Sequence, residues 1–334
     1  MKRILSWIRK LFSPEYILLW MLLIMVAFFS IKSPTFRSTA NLLEVLRSSG
    51  INAILVLGLT WIVASGEFDV AFPDIAALSS MVLVYLVTRG IAWGYSILIA
   101  ILVCCLFGLL SGVLVNVFKF RALIATIGVS VLAKSTAYII GRGSPIYLIN
   151  INKTVERIMF GRIANLIPIL AVIVLILYLA ANFLQNQTKL GQYLYALGEN
   201  REASYEAGIP KKMIFYSFFV LSAALAAGGG VLLATSFSAG QPNFAGTLFI
   251  DGLTAVFLGA LMIKPGKPNV IGTYFGAIFI MVLGNGLTLL NIPFYYGLII
   301  KGFLMILGVT VVAFSGTEFF EKRRAKRAEE PAHQ

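Results

Sequence analysis

The sequence holds few of the residues that usually build a metal centre. It has two cysteines and one histidine among 334 residues. Cys104 and Cys105 are adjacent inside an apolar run, which is typical of small packing residues, and His333 lies in the polar tail. Zinc and similar metals need several such ligands around one point. The composition therefore excludes a metal site built from His or Cys, and we expect no metal and no cofactor in this chain.

Charge is also scarce, since 12% of the residues are charged and 59% are hydrophobic. A soluble domain has about a quarter of its residues charged. Apolar windows long enough to cross a bilayer, roughly 17–25 residues each, recur along the whole length. We therefore expect an all-α, polytopic transmembrane helix bundle in the lipid bilayer, with no soluble domain.

The few charges are strongly unbalanced, with a formal net charge of +13. In a soluble protein this excess would suggest nucleic acid, but in a membrane protein Lys and Arg collect at the cytoplasmic ends of the spans. Both ends are basic, "MKRILSWIRK" at 1–10 and "EKRRAKR" at 321–327. We therefore expect no nucleic-acid partner, two cytoplasmic termini and an even number of spans.

Ten spans satisfy this topology. They are predicted at 15–31, 48–65, 69–88, 92–117, 122–141, 164–184, 213–235, 249–263, 270–290 and 294–314. The spans 48–65 and 249–263 are short, which predicts broken helices. The chain then divides into a cytoplasmic amphipathic segment at 1–14, a single membrane domain at 15–317 and a basic cytoplasmic tail at 318–334.

One compact charged segment, "GQYLYALGENREASYEAGIP" at 191–210, interrupts the apolar spans. Asn200 is a good N-cap, and Glu202 falls in the first turn, where a negative charge favours the helix dipole. Gly208 supplies a left-handed stop, and Pro210 prevents continuation. The pattern predicts a helix of about seven residues between two membrane spans.

The acidic residues of this segment are Glu199, Glu202 and Glu206, which are three and four residues apart. This spacing would place them on one helix face. Two interpretations stay open: a solvated loop helix, or a docking helix whose acidic face meets a basic cleft on a cytoplasmic partner.

A second acidic group lies at 64–74, "ASGEFDVAFPD", with Glu67, Asp69 and Asp74. These carboxylates either lie in the water of the inner leaflet as a plain loop or belong to a re-entrant break that shapes a translocation path. Irregular backbone at membrane depth is tolerated only where protein or a water-filled path covers it. In the second case, Asp69 would cap the following helix.

Three further polar residues complete the candidates for the path. Asp251 begins a predicted span, where it either caps the helix at the outer surface or faces a polar pathway. Asn116 and Asn285 lie inside apolar helices, where such side chains commonly bond a neighbouring helix. With Glu67 and Asp69, these residues are the predicted path positions.

Motifs for nucleotide binding and hydrolysis are missing. "GALMIKPGKP" at 259–268 has the wrong spacing for a phosphate-binding loop and a proline in place of the hydroxyl residue. No dinucleotide fingerprint, nucleophile elbow or zinc-hydrolase motif occurs. We therefore expect a protein that is not an enzyme and whose energy comes from elsewhere.

These segments, in this order, resemble the permease subunits of ribose-type ATP-binding-cassette importers over nearly the whole chain. Residues 189–209 are similar to the family loop G-R-x-x-x-A-x-G-x-N-x-x-A-A-x-x-x-G-I, and 241–260 to Q-P-x-x-G…L-D-A-I-A-A-V-x-L-G-G. "GLLSGVLVNVFKFRALIATIG" at 108–128 and "GNGLTLL" at 284–290 resemble two further elements. Two departures occur: "GEFDVAFPD" replaces G-G-I-D-L-S-V-G-S, and Arg121-Ala122 replaces a pair of prolines.

The resemblance implies a subunit that imports a monosaccharide or small polyol across the bacterial inner membrane. Its implied partners are a second permease subunit, identical or different, two cytoplasmic ATP-binding subunits that hold the ATP, and an extracytoplasmic solute-binding protein. The loop at about 189–212 would be the coupling loop. The positions carried over from the family loop are Gly191, Gly198, Asn200, Ala203, Gly208 and Ile209.

Two other functions remain as alternatives. A stand-alone secondary carrier would use Asp69 or Asp251 as its proton or sodium site. A membrane enzyme acting on lipid is disfavoured, because the spans carry no clustered acid, base or metal set.

Overall fold

The computed structural model describes residues 14–165 and 167–315. The expected basic tail and all but the last residue of the expected amphipathic segment therefore lie outside the described residues. Within these ranges the helices are α1 (Ile17–Lys32), α2 (Thr39–Ala64), α3 (Phe72–Thr88), α4 (Trp93–Asn116), α5 (Ala122–Gly141), α6 (Lys153–Phe160), α7 (Ile169–Gln187), α8 (Lys189–Glu199), α9 (Arg201–Glu206), α10 (Lys211–Phe237), α11 (Ala245–Gly259), α12 (Val270–Leu289) and α13 (Phe294–Ser315). The strands are β1 (Ile146–Tyr147), β2 (Arg162–Ile163), β3 (Ile167–Pro168) and β4 (Ala239–Gly240).

The predicted all-α membrane bundle is confirmed. In the described part of the chain, ten of these helices correspond to the ten predicted spans. Seven of them, α2, α4, α5, α7, α10, α12 and α13, are long and apolar enough to cross a membrane. The helices α1, α3 and α11 are apolar but shorter.

The centre of the bundle is formed by α2, α3, α10 and α12, and small residues let these helices approach closely. A methyl group at Gly230 of α10 would overlap the carbonyl of Ala76 in α3, and one at Gly229 would overlap Leu55 of α2. Gly108 of α4 lies equally close to α10. The glycine-rich stretches are therefore packing surfaces, as small residues commonly are between membrane helices.

The prediction that 48–65 is a short, broken span was wrong. The helix α2 begins at Thr39, where Ser38 caps it by accepting a hydrogen bond from Asn41 N at 3.3 Å. Glu44 and Arg47 made the first turns look like a loop. In the fold these two side chains form an ion pair of 2.5 Å one turn apart on the same helix, so the charges do not end it.

The short helix near 249–263 is confirmed, but it lies four residues earlier than predicted. It ends at Gly259, where a side chain would overlap the backbone of Gly272 in α12. The apolar residues 260–262 continue as buried turns within the α11–α12 connection, residues 260–269. Burial against protein, rather than a span, explains why this stretch is apolar.

The two ends of the bundle differ. At one end, α8 and α9 fold between α7 and α10; we call it the α8–α9 end. At the opposite end of α10, β4 pairs with β1 in antiparallel register, with Ile146 opposite Gly240. This pairing joins the segments that follow α5 and α10.

Candidate functional site

The charged segment folds as two short helices rather than one. The backbone breaks at Asn200, which has φ −150° and ψ 105° and caps α9 by accepting a hydrogen bond from Ala203 N at 3.0 Å. After α9 the chain turns at Gly208, with φ 76°, and α10 starts just after Pro210. The predicted cap and left-handed stop are confirmed, and α9 has six residues where about seven were predicted.

The prediction that three glutamates share one face was wrong. Glu199 is the last residue of α8, and its side chain forms an ion pair with Lys267 of the α11–α12 connection. The change of direction at Asn200 separates it from Glu202 and Glu206, which lie four apart on α9 and are exposed. The acidic face is therefore limited to these two carboxylates, beside a Tyr205 side chain that is 73% exposed.

Glycines hold α8 directly against the ends of the membrane helices. A methyl group at Gly198 would overlap the carbonyl oxygen of Ala64, the last residue of α2, and one at Gly191 would overlap the carbonyl of Gln185 in α7. These contacts give a physical reason for two glycines of the family loop. Any side chain at either position would push α8 away from the bundle.

A tyrosine ties α8 to the start of α12. The hydroxyl of Tyr195 donates a hydrogen bond of 2.9 Å to the carbonyl of Pro268. Burial raises the pKa of Tyr195, so this hydroxyl keeps its proton throughout the physiological range.

An ion pair ties α9 to the α2–α3 connection, residues 65–71. Arg201, the first residue of α9, pairs with Glu67, and the side chains are 44% and 12% exposed. Glu67 follows Gly66, whose φ of 78° reverses the chain after α2. The connection therefore contacts the α8–α9 segment at both Gly66 and Glu67.

The α2–α3 connection then turns back into the bundle, as the re-entrant interpretation expected. Asp69 is buried, accepting hydrogen bonds from Ala71 N at 2.8 Å and from Ser222 Oγ of α10 at 3.1 Å. Val70 N donates to Thr126 Oγ1 of α5 at 3.1 Å. The irregular backbone is thus bonded by α5, and the Asp69 side chain by α10, which agrees with the condition for irregular backbone at membrane depth. The backbone bond of Asp69 goes to Ala71 N, the residue before α3, and the N-cap of α3 is Ala71 without a side-chain cap, so the predicted capping of α3 by Asp69 was wrong.

A basic cavity of about 1000 Å³ lies at the α8–α9 end, between the α4–α5 turn and the start of α10. Its basic side chains are Lys119, Arg121, Arg201, Lys211 and Lys212. Among the lining residues that the structure describes, Glu67 is the acidic one. Asn116 also lines the cavity and donates a hydrogen bond of 3.0 Å to Gly112 O in its own helix. Two of the predicted path residues, Glu67 and Asn116, therefore meet here.

Asp69, described above, does not line this cavity, and Asp251 and Asn285 also lie away from it. Asp251 is in the middle of α11, which excludes the capping role, and its Oδ1 lies 2.7 Å from Lys301 Nζ of α13. Asn285 of α12 exchanges two amide hydrogen bonds, of 2.9 and 3.0 Å, with Asn41 of α2. Both side chains join helices, and their role in a path stays a prediction.

Sequence reasoning missed two charged residues inside the membrane helices, Lys134 in α5 and Lys301 in α13. Each is a single cation within an apolar run. An intramembrane cation is costly and usually has a nearby carboxylate or a polar surrounding. A search of each predicted span for isolated charges would have found both residues, whereas only the structure places them near Asp251 and Asp74.

Comparisons with known proteins agree on the class of this chain. A family model described as branched-chain amino acid transport system / permease component matches residues 41–309. The ribose import permease RbsC of Escherichia coli (strain K12) is 32% identical over 298 residues, covering 87% of this chain and 91% of the relative. RbsC of Bacillus subtilis (strain 168) is 28% identical over 289 residues, covering 86% and 89%.

The D-allose transport system permease AlsC of Escherichia coli (strain K12) is 27% identical over 304 residues, covering 90% of this chain and 92% of the relative. No solved structure shows a significant match to the chain. These relatives are transport proteins, which disfavours both the stand-alone carrier and the lipid enzyme. The chain therefore belongs to the branched-chain amino acid transport system / permease component family, as a multi-pass membrane subunit similar to the ribose-type permeases of ATP-binding-cassette importers.

Proposed function

We propose that this permease forms the translocation path for a monosaccharide or a similar small polar solute, driven by a separate ATPase. Similar permeases are named for ribose, D-allose and L-arabinose, which are all neutral monosaccharides. The variety among these relatives supports the class of solute rather than one sugar.

The proposed topology has ten spans, both termini in the cytoplasm and the α8–α9 end on the cytoplasmic side of the inner membrane. The cations around the basic cavity, together with Lys264 and Lys267, support this orientation, because positive residues concentrate on the cytoplasmic side. The shorter helices α1, α3 and α11 would complete the ten spans within the bundle.

The proposed assembly contains a second permease subunit, two cytoplasmic ATP-binding subunits and an extracytoplasmic solute-binding protein. ATP would be held by the ATPase subunits, and this chain would carry no cofactor. Glu202, Tyr205 and Glu206 are the exposed side chains of α9 that would enter a basic cleft on the ATPase.

The observation that carries the mechanism is the attachment of this segment to the α2–α3 connection. Force on α9 would reach Glu67 through Arg201, and Ala64 through Gly198. Because Asp69 and Val70 are hydrogen-bonded to α10 and α5, displacement of the connection would move both helices. Movement of α5 and α10 would then switch the path between its outward- and inward-open states.

The role of each predicted residue can be refined on the same geometry. Glu67 and Asn116 would lie at the cytoplasmic mouth of the path, since both line the basic cavity. Asp69 would position the α2–α3 connection. Asp251 and Asn285 would hold α11 to α13 and α12 to α2.

A charge reversal on α9 tests this proposal. Glu202→Arg with Glu206→Arg should abolish copurification of the ATPase subunit and ATP-dependent uptake into proteoliposomes, while the permease still inserts. The matched control is Glu156→Arg, an exposed glutamate on α6. Normal uptake in the double variant, or wild-type uptake that needs no ATP, would contradict the proposal.

A further inference from the structure

Lys134 is an exposed cation on a membrane helix. It lies in the second half of α5, well away from both ends of the helix, and nothing in the described part of this chain covers it. Its neighbours on the exposed face include Ile127 and Val131, which are apolar. Ionisable side chains at membrane depth face a bundle interior or a water-filled cavity rather than lipid. The face of α5 that carries Lys134 is therefore not a lipid-facing surface in the assembled protein.

The nearest acidic group is only partly satisfied. Asp74 of α3 is buried and accepts a hydrogen bond from Ser130 Oγ of α5 through its Oδ2. Its other oxygen, Oδ1, has no hydrogen-bond partner. Lys134 is the cation nearest to this carboxylate, and the two form no ion pair within 4 Å among the described residues. An exposed ammonium group and a buried, partly satisfied carboxylate are thus present in the same region of the bundle.

A row of polar residues on α5 runs from this point toward the basic cavity, and its first member, Thr126, is buried. Thr126, Ser130 and Lys134 are spaced four residues apart and so lie along one side of α5. Thr126 bonds the α2–α3 connection, and Leu123, one turn earlier, lines the basic cavity. The row therefore leads from the cavity toward the middle of the membrane.

We propose that Lys134, placed beside Asp74 and Ser130, lines the water-filled path and is a contact for a neutral, polyhydroxylated solute. An ammonium group donates hydrogen bonds to hydroxyl oxygens, and Lys134 is the exposed member of this group. One such contact in the path suits brief binding during passage, with selection left to the solute-binding protein. This inference rests on the proposed function and adds the residues that the solute meets.

Thiol labelling tests access to the path without a choice of solute. In a chain with Cys104→Ala and Cys105→Ala, single cysteines are placed at Lys134, at Ile127 one heptad earlier on the same face, and at Leu102, an exposed apolar position on α4. A membrane-impermeant methanethiosulfonate reagent should label Lys134→Cys and Ile127→Cys and leave Leu102→Cys unlabelled. Failure to label both α5 positions, or equal labelling of Leu102→Cys, would overturn the inference.

Transport tests the solute contact itself. With ribose as the probe, Lys134→Met should lower ATP-dependent uptake by about tenfold to a hundredfold, the range for one charge-assisted hydrogen bond, and Lys134→Arg should keep most of it. Copurification of the ATPase with Lys134→Met shows that assembly is intact. Unchanged uptake in Lys134→Met would overturn the solute contact. If the wild-type chain did not bind the ATPase, the proposed function would be rejected. Thiol labelling would still decide whether water reaches position 134.

Discussion

Two connections between membrane helices contact the α8–α9 segment, and they do so through side chains of opposite charge. The α2–α3 connection offers Glu67 to Arg201, whereas the α11–α12 connection offers Lys267 to Glu199. Two ion pairs therefore hold the segment, one on each side of Asn200. The segment contributes the acidic residue to one pair and the basic residue to the other. Both breaks follow a similar sequence, "GLTWIVASG" from Gly58 and "GLTAVFLGA" from Gly252.

The two connections differ in what completes their hydrogen bonds. Asn269 of the α11–α12 connection donates to Met262 O at 2.8 Å and accepts from Gly272 N at 2.7 Å. The connection is also held by α7 and α8, where Gln185 and Tyr195 donate to Pro268 O at 3.5 and 2.9 Å. The α2–α3 connection depends on Thr126 and Ser222 from two other membrane helices. A turn held by its own amide side chain and by α7 and α8 suits a fixed support, whereas a turn bonded to α5 and α10 suits the transmission of movement.

The largest expected effect comes from disturbing the contact between α8 and α2. Gly198→Ala would place a methyl group against the carbonyl of Ala64, and such overpacking costs about 1–3 kcal/mol. We expect a lower melting temperature and loss of ATP-dependent uptake, measured on the purified transporter. Gly302→Ala on α13 is the control, because a methyl group there has open space. Wild-type uptake by Gly198→Ala would show that this contact is dispensable.

A smaller loss of uptake should distinguish the two connections. Asn269→Ala leaves the buried Gly272 N–H and the Met262 carbonyl without their partner, at a cost of about 1–3 kcal/mol. Because this connection is a support, we expect reduced thermal stability with uptake per folded molecule unchanged. Asp69→Ala should instead reduce uptake per folded molecule. The same outcome for both variants would remove the distinction between the connections.

The smallest losses of uptake are expected for variants of the two ion pairs. Glu67→Gln should lower uptake several-fold, because its side chain is mostly buried and connects α9 to the α2–α3 connection. Lys267→Gln should change uptake little, since both partners of that pair are well exposed and such pairs contribute about 0–1 kcal/mol. Parallel uptake measurements on the two variants check this order. A larger loss of uptake in Lys267→Gln than in Glu67→Gln would contradict the assignment of the α11–α12 connection as the support and the α2–α3 connection as the part that transmits movement.

Local signals in the sequence predicted the local structure well. The cap at Asn200 and the left-handed turn at Gly208 depend on residues within one helical turn, so the sequence pattern was sufficient. The ten apolar windows also corresponded to ten helices. The start of α2 was missed because Glu44 and Arg47 neutralise each other on one helix face, which a count of charges does not show.

Long-range contacts were beyond the same reasoning. The ion pair of Glu199 with Lys267 joins two residues that are distant in the sequence. The partners of Asp251 and Asn285 lie on α13 and α2, and no local pattern identifies them. The re-entrant course of residues 65–71 was one of two interpretations, and Thr126 and Ser222, on other helices, decide it.

The most direct test is a distance measurement across the two connections by electron paramagnetic resonance. Spin labels are placed at Phe68, in the α2–α3 connection, and at Ile263, in the α11–α12 connection, both partly exposed. The distance is compared between the nucleotide-free transporter and the complex trapped with nucleotide. Our account predicts a change in this distance on nucleotide binding, with no change between Ile263 and a label at Asn186 on α7. An unchanged distance between Phe68 and Ile263 would contradict the proposal that the α2–α3 connection transmits the action of the ATPase.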